Sequence, residues 1–454
     1  MTVPQTTVPY ADKGVVLTGS KIFSDGSVLD LVRIPNGEIN FVISDGKSAK
    51  TVPQFVRNGE CHVPLRIDPT ILHSMQLPSK TGEYGSTREL FNNISELIAQ
   101  VTQARKDVTD LLTFFVFGTW VGDSLSSAPF LWIVSPPTTS AGPVEQILTL
   151  LCRRALVVGE GSLARFHSLA VDLQPTLVTQ VFEPTRQLLN TLRITARRGE
   201  LTAVGGKFVE ASSAIVAFAP EPPRDQARAG FPLELVLFPT TDYIPRLSAS
   251  KAEQIAAEYQ PQLLHYRLLN VAKVQAPAFK LSEFTVPMQE VAYNLGACIV
   301  GDEELQARLV ALLKPADREV RVGYASLLSA IVLEVLLAHC HAGTGEYFAV
   351  TDVCKDANTV LRARGDVTQL SPEKVGWLLR ALELWTDFIP GGRKGLVLSN
   401  AVRKKIHDLA LAYGVRTLRE LPEKIRCSLC TELSLPWKMQ ANTMGTTHRD
   451  GGGP

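Results

Sequence analysis

Phe130-Leu131-Trp132-Ile133-Val134 runs into Ser135-Pro136-Pro137-Thr138-Thr139-Ser140-Ala141-Gly142-Pro143, and then into the periodic segment Val144–Arg153. Five consecutive apolar residues suit a strand covered on both faces, and the segment after the loop suits a helix. The loop between them stands where a chain can cradle phosphate. In a working loop of the form GxxxxGK(S/T), glycines let backbone N–H groups wrap the phosphates. Lysine reaches the outer phosphates, and a hydroxyl holds magnesium. Here Thr138, Thr139, Ser140, Ala141 and Gly142 occupy that position, but no lysine occurs from Asp107 to Gly206. Pro143 also removes a backbone donor where the helix begins.

A second strand, Leu177–Phe182, stands where magnesium-binding acids would follow. It places Gln180 and Val181 in the register of a carboxylate pair, and Glu183 comes too late for it. Without the lysine or the acids, little remains to stabilise phosphoryl-transfer charge. Further candidate strands at Leu156–Val158, Ala214–Ala219 and Leu233–Phe238 complete a parallel or mixed sheet of an α/β domain.

Within this frame, Gly118-Thr119-Trp120, Ala128-Pro129-Phe130, Ser135-Pro136, Pro175-Thr176-Leu177 and Ala196-Arg197-Arg198-Gly199 follow one another in order. This order resembles a bacterial P-loop ATPase-like family related to phage and plasmid primase–helicase proteins, over about residues 107–245. The resemblance implies a P-loop NTPase-like fold and a basic pair at Arg197-Arg198. The departures at both nucleotide motifs imply a pseudo-ATPase. The same residues also fit an α/β domain that never bound nucleotide.

Outward from the sheet, residues 14–80 carry short β-branched runs separated by Asp25-Gly26, Pro35-Asn36-Gly37 and Asp45-Gly46, and Asn36-Gly37 predicts a hairpin. Ser86-Thr87-Arg88-Glu89 is a capping box opening a helix to about Lys106. From Ser250 to His341 the pattern predicts helices at 250–259, 262–274, 287–298, 303–312 and 320–341, several ending at proline or glycine.

Residues 320–414 read as helix, short strand, helix, helix, hairpin, helix. Tyr347–Val350 is the strand, Thr351 can cap the second helix, and Ser371-Pro372 starts the third. On that third helix Val375, Leu378, Leu379 and Leu382 form the packing face. Glu373, Lys374, Trp377, Arg380 and Ala381 face outward, as on a helix entering a DNA groove. Pro390–Gly395 predicts a wing with Arg393 and Lys394 at its tip, followed by Arg403, Lys404 and Lys405. From Arg393 to Arg426 nine Lys/Arg stand against three Asp/Glu, a balance that favours phosphate contact. Leu370–Gly414 also resembles winged-helix regions fused to such ATPase-like proteins. The alternative for this segment is a winged helix that docks protein.

The predicted organisation is a β-rich domain at 1–80, a degenerate P-loop NTPase-like α/β domain at 81–245, a helical region at 246–345, a winged helix at 346–415 and a polar tail at 416–454. The tail from Asn442, rich in Gly and Thr, predicts disorder. Across 454 residues the composition is globular, with 45% hydrophobic and 20% charged residues and a net charge of +1. Residues 1–13 lack the pattern of a secretory signal. The apolar stretches Leu111–Val121 and Leu327–Cys340 fall short of the roughly 20 residues a bilayer span needs. Cysteines at 61, 152, 298, 340, 354, 427 and 430 predict buried, reduced thiols. A cytoplasmic protein is therefore expected.

Three smaller constellations carry less. Cys427-Ser428-Leu429-Cys430 is half of a zinc site, and His448 is the one later candidate ligand. Ser162, His167 and Asp172 lack a nucleophile elbow. His339 and His341 stand where they could cap the end of an apolar helix. The resulting expectation is a non-hydrolysing, DNA-associated protein of replication or mobile-element maintenance, with DNA as partner, no cofactor and no metal. Its alternative is an ATP-binding helicase-like subunit completed by another protein.

Overall fold

The computed structural model describes residues 14–136, 139, 141–159, 173–204, 207–210, 212–223, 233–237, 244–274, 283–299, 301–325, 327–342, 345–413, 415 and 429. They belong to two compact units, Met1–Asp317 and Arg318–Pro454.

The first unit opens with β1 (Val15–Thr18), β2 (Ser20–Ile22), β3 (Val28–Arg33), β4 (Ile39–Ser44), β5 (Ala49–Val52), β6 (Phe55–Arg57) and β7 (Glu60–Pro64). They form two small sheets, ordered β1-β7-β6 and β2-β3-β4-β5. The Asn36-Gly37 hairpin joins β3 to β4, and Gly37 takes the left-handed φ of +88° that the turn needs. Leu29, Leu31, Phe41 and Ile43 share one buried cluster with Leu156 and Leu173 of the following α/β region.

After α1 (Pro69–Ser74), α2 (Thr87–Thr102) starts at the capping box. The Ser86 N–H donates to Glu89 at 2.8 Å, and the Glu89 N–H donates to Ser86 Oγ at 3.2 Å. It ends short of Lys106 because Gln103 turns into the left-handed region at φ +53°. In α3 (Lys106–Val121) every residue from Val108 to Val121 is buried, and the one charged group among them, Asp110, is paired with Lys106 at 3.2 Å and with Arg308.

The sheet comprises β8 (Phe130–Val134), β9 (Leu156–Val158), β10 (Leu177–Gln180), β13 (Ile215–Ala219) and β14 (Leu233–Val236). Its order is β14-β8-β13-β10-β9, and every pairing is parallel. Helices α4 (Gly142–Leu151) and α5 (Arg186–Ala196) and the hairpin β11 (Leu201–Val204) and β12 (Lys207–Glu210) connect its strands. The chain leaves β8 for the β9 edge, returns through β10 and β13, and crosses to β14 on the other side of β8. Strand order reverses beside β8, so the crevice beyond its carboxyl end is the expected ligand position.

The helices α6 (Ala249–Asn270), α7 (Val286–Gly296) and α8 (Glu303–Ala325) follow, and α8 contains the division between the units. Two predicted breaks are absent. Pro261 lies inside α6 and Pro315 inside α8. Pro261 is buried, and its carbonyl accepts a tertiary bond from the Gly82 N–H at 3.0 Å, so packing outweighs the local breaker signal. Pro315 instead sits on the exposed side of α8.

A buried charge network ties β3 to the α/β region. Asp30 (2% exposed) accepts from Arg153 at 3.0 Å, from Arg267 at 2.5 Å and from Arg154. Arg267 also donates to Asp123 at 2.5 Å and to the Trp120 carbonyl at 2.6 Å. Burial alone would raise both carboxyl pKa values, but the guanidiniums outweigh it. Asp30 is held well below the usual carboxylate range, and Asp123 is brought down to about 2. Arg153 is lowered in turn, first by burial and then by the Arg154 and Arg267 cations beside it.

The second unit holds α9 (Leu328–Ala342), β15 (Tyr347–Ala349), α10 (Val350–Ala363), α11 (Pro372–Ala381), β16 (Asp387–Ile389), β17 (Arg393–Val397) and α12 (Asn400–Ala412). Its antiparallel sheet is ordered β15-β17-β16. Val353, Leu361, Val375, Leu379, Leu396 and Ile406 pack with the apolar α9 in one cluster. The Ser371 hydroxyl caps α11 as predicted. Thr351 does not cap α10, whose N-cap is Ala349, two residues earlier, with no side-chain cap. Gly395 leaves no room for a side chain, since an added Cβ would lie 2.7 Å from both Ile389 Cδ1 and the Phe348 carbonyl oxygen. Gly395→Ala is therefore expected to cost about 1–3 kcal/mol by overpacking. Thermal unfolding of this unit would measure the loss, and an unchanged midpoint would refute it.

Among the described residues no helix is long and apolar enough to cross a membrane. The five described cysteines are buried.

Candidate functional site

At the carboxyl edge of the parallel sheet, the Ser135 N–H donates to the Ala219 carbonyl at 2.8 Å, extending the β8–β13 ladder by one residue. Both the N–H and the hydroxyl of Thr139 bond to the Pro136 carbonyl at 2.8 Å, and the hydroxyl also meets Ser135 Oγ at 2.8 Å. The two hydroxyls are thus engaged in a local turn. Thr138 and Ser140 lie outside the described residues. Ala141 provides no side-chain cap for α4, and Gly142 is its first residue.

Two side chains unforeseen from the sequence come to this edge. Arg246 lies against Gly142, where an added Cβ would sit 3.1 Å from its Nε. Glu145, in the first turn of α4, accepts from Gln180 Nε2 at 2.8 Å. Gln180 ends β10, and Val181 is buried with its N–H on the Phe218 carbonyl at 2.7 Å. The loop thus has the Arg246 cation against Gly142 and the Glu145 carboxylate on the Gln180 amide, with Val181 buried beside them. Nothing local to the loop announces Arg246, which follows β14 in an Ile-Pro-Arg segment.

Arg197 and Arg198 lie at the opposite, amino edge. Arg197 bridges Ser127 just before β8 and pairs with Glu200 at 3.1 Å. The Arg198 N–H donates to the Ser126 carbonyl at 3.3 Å. Neither can act on the loop beyond the carboxyl end of β8. Beside them, a cavity of about 40 Å³ is lined by Ser127, Arg193, Arg197, Glu290 and Asn294 with apolar neighbours. Ser127 donates to Glu290 and accepts from Asn294, both at 2.8 Å, while Arg193 Nε and Asn294 Oδ1 are buried without a hydrogen-bond partner. A space of this size suits a few waters at about 10–15 Å³ each, far below a nucleotide pocket.

In the second unit, α11 turns Val375 and Leu379 inward, while Lys374, Trp377 and Arg380 are exposed. Arg380 lies over the Trp377 ring at 5.9 Å. The predicted wing tip needs correction. The turn consists of Pro390-Gly391-Gly392, and Arg393 and Lys394 begin β17 instead. With two glycines at left-handed φ (+92° and +72°), the turn closes before the cations are reached. Arg393 pairs with Asp352 at 3.4 Å, and Lys394 lies over Phe388 at 6.0 Å, its cross-strand partner.

The basic run on α12 divides. Lys404 is exposed, whereas Lys405 bonds Glu383 at 2.8 Å. Arg403 is an internal strut, donating to the carbonyls of Leu398 at 3.1 Å, Cys340 at 3.4 Å and Gly345 at 2.9 Å. It thereby takes the capping role at the end of α9 expected of the histidines. His339 stacks on Phe348 at 3.8 Å, and His341 Nε2 meets His407 Nε2 at 3.2 Å. Among the described residues no three His, Cys, Asp or Glu side chains form a metal-binding group. Cys427, Cys430, Ser162, His167, Asp172 and the 442–454 tail lie outside the described residues.

No family model and no curated protein matches the chain. Solved structures align over most of its length. The apo C-terminal region of NrS-1 is 9% identical, with a TM-score of 0.38, over 82% of this chain and 97% of that one. Drosophila ORC bound to DNA is 13% identical, with a TM-score of 0.19, over 76% and 96%. Cdc6p from Pyrobaculum aerophilum is 9% identical, with a TM-score of 0.17, over 69% and 94%. At these identities and TM-scores, neither fold nor function transfers to this chain.

Proposed function

We propose that this chain is a DNA-associated protein, binding DNA through a winged helix in its second unit and carrying a P-loop NTPase-like domain that does not hydrolyse nucleotide. The observation that carries the DNA reading is the element order of the second unit. A helix, a strand, two helices, a two-stranded hairpin and a last helix leave α11 with Lys374, Trp377 and Arg380 facing outward. That face suits insertion against DNA, and Lys404 adds an exposed cation from α12. Replication or mobile-element maintenance is the process implied by the resemblance in residues 107–245.

The chemistry of the carboxyl edge supports the absence of turnover. Phosphoryl transfer needs a cation on the outer phosphates and carboxylates for magnesium. Arg246 offers the first in a form that binds anions but takes no part in metal ligation. Glu145 is a single carboxylate whose oxygen already receives the Gln180 amide. The protein is expected to release no phosphate from ATP and magnesium above a buffer control. Magnesium-dependent release that disappears in Arg246→Ala or Glu145→Gln would overturn this reading.

A further inference from the structure

The strongly exposed Trp and Phe side chains whose burial is described are concentrated in one stretch of the second unit, residues 377–388. Trp377 is 69% exposed, Trp385 73% and Phe388 70%; Phe182, at 73%, is as open but belongs to the first unit. Trp377 lies on α11, Trp385 in the loop that leaves it, and Phe388 on β16. Rings of this size are ordinarily drawn into a core or covered by a partner. The core of this unit is already filled by Val375, Leu379, Ile389 and Leu396, so these rings are surplus to its packing.

Cations are placed against two of the rings. Arg380 stands 5.9 Å from the Trp377 centroid, one helical turn further along α11. Lys394 stands 6.0 Å from the Phe388 centroid, and the register pairs Phe388 with Lys394 on one face of the hairpin. Neither cation has a carboxylate partner among the described residues, in contrast to Arg393 with Asp352 and Lys405 with Glu383.

Open rings flanked by unpaired cations match a particular ligand chemistry. Flat bases stack on the rings, and the adjacent cations take the phosphates between them. Base edges in a duplex groove are read by polar side chains, which Trp385 and Phe388, outside α11, do not supply. An acidic protein partner would satisfy the cations but would not call for three separate flat faces.

We propose that Trp377, Trp385 and Phe388, with Arg380 and Lys394, form a stacking surface for single-stranded DNA. The inference rests on the DNA-binding reading above and adds the form of DNA that the same unit takes.

The test compares the full chain on a fluorescent oligothymidylate and on a duplex of equal length. Trp377→Ala, Trp385→Ala and Phe388→Ala are each expected to weaken single-strand binding by about 5- to 150-fold, while Trp385→Ala and Phe388→Ala, which lie outside α11, are expected to leave duplex affinity unchanged. Trp377→Phe retains a ring and is expected to retain most of the binding. These side chains are exposed, so circular dichroism should show all variants folded. Duplex binding with no single-strand binding overturns the stacking surface and leaves the DNA reading intact. Single-strand binding that is indifferent to all three alanines also overturns it. Failure to bind either DNA overturns both, and loss of a protein partner in the same variants would then identify the face as a docking site.

Discussion

Asp30→Ala is expected to destabilise the first unit by about 3–5 kcal/mol, the cost of stranding buried charges by removing their partner. Asp30 is the shared acceptor for Arg153, Arg154 and Arg267, all at most 2% exposed. Arg267 keeps Asp123, and Arg154 keeps the carbonyls of Gly19 and Leu173 at 2.6 Å. Arg153 is left worst placed, because Asp30 is its closest ion-pair partner and its Nε has no hydrogen bond. Urea denaturation followed by the near-ultraviolet signal of Trp120 and Trp132, both buried in this unit, reads the effect directly. A loss below about 1 kcal/mol, the range of an exposed pair, would mean that water reaches these arginines.

The second large effect concerns DNA. Neutralising Arg380, Lys394 and Lys404 together is expected to reduce the slope of log affinity against log salt on duplex DNA by about three, close to 0.9 for each phosphate that is no longer neutralised. The three are chosen because no carboxylate among the described residues pairs with them. Lys405→Gln, whose ammonium bonds Glu383, is expected to leave the slope unchanged. Arg403→Ala is expected to lower thermal stability instead, since its guanidinium holds three backbone carbonyls. A salt slope identical to wild type in the triple variant would place the DNA-binding surface elsewhere.

What could be read in the chain and what could not separate along physical lines. A strand covered on both faces appears as an unbroken apolar run, so Phe130–Val134 was legible, and the shorter apolar starts of Leu156–Val158 and Leu177–Gln180 marked those strands as well. Local hydrogen-bonding chemistry was equally legible, in the Ser86–Glu89 capping box and in Ser371-Pro372 at the start of α11. The interiors of α6 and α8 were not, because Pro261 and Pro315 both send a local stop signal; at Pro261 tertiary packing overrides it, while Pro315 is exposed and nothing in the structure explains its tolerance. Arg246 was invisible for a related reason, as its approach to Gly142 depends on where β14 delivers the chain.

Charge was the least legible property. Arg403, Lys404 and Lys405 look alike as a basic run, yet one braces the fold, one faces solvent and one pairs with Glu383. Asp30 shares its face of the strand Val28–Arg33 with the buried Val28 and Val32, and nothing local announces that it is the hub of a buried network. Only the fold decides which charges remain available to a ligand.

That hub also has a kinetic consequence. Asp30 meets its counter-ions across 123, 124 and 237 residues of intervening chain. Closing loops of that length costs entropy before any attraction is gained, so long-range pairings of this kind form slowly. The early strands and the sheet must therefore acquire most of their shape separately. The carboxylate acts as a latch that shuts once they meet, slowing unfolding more than it speeds assembly.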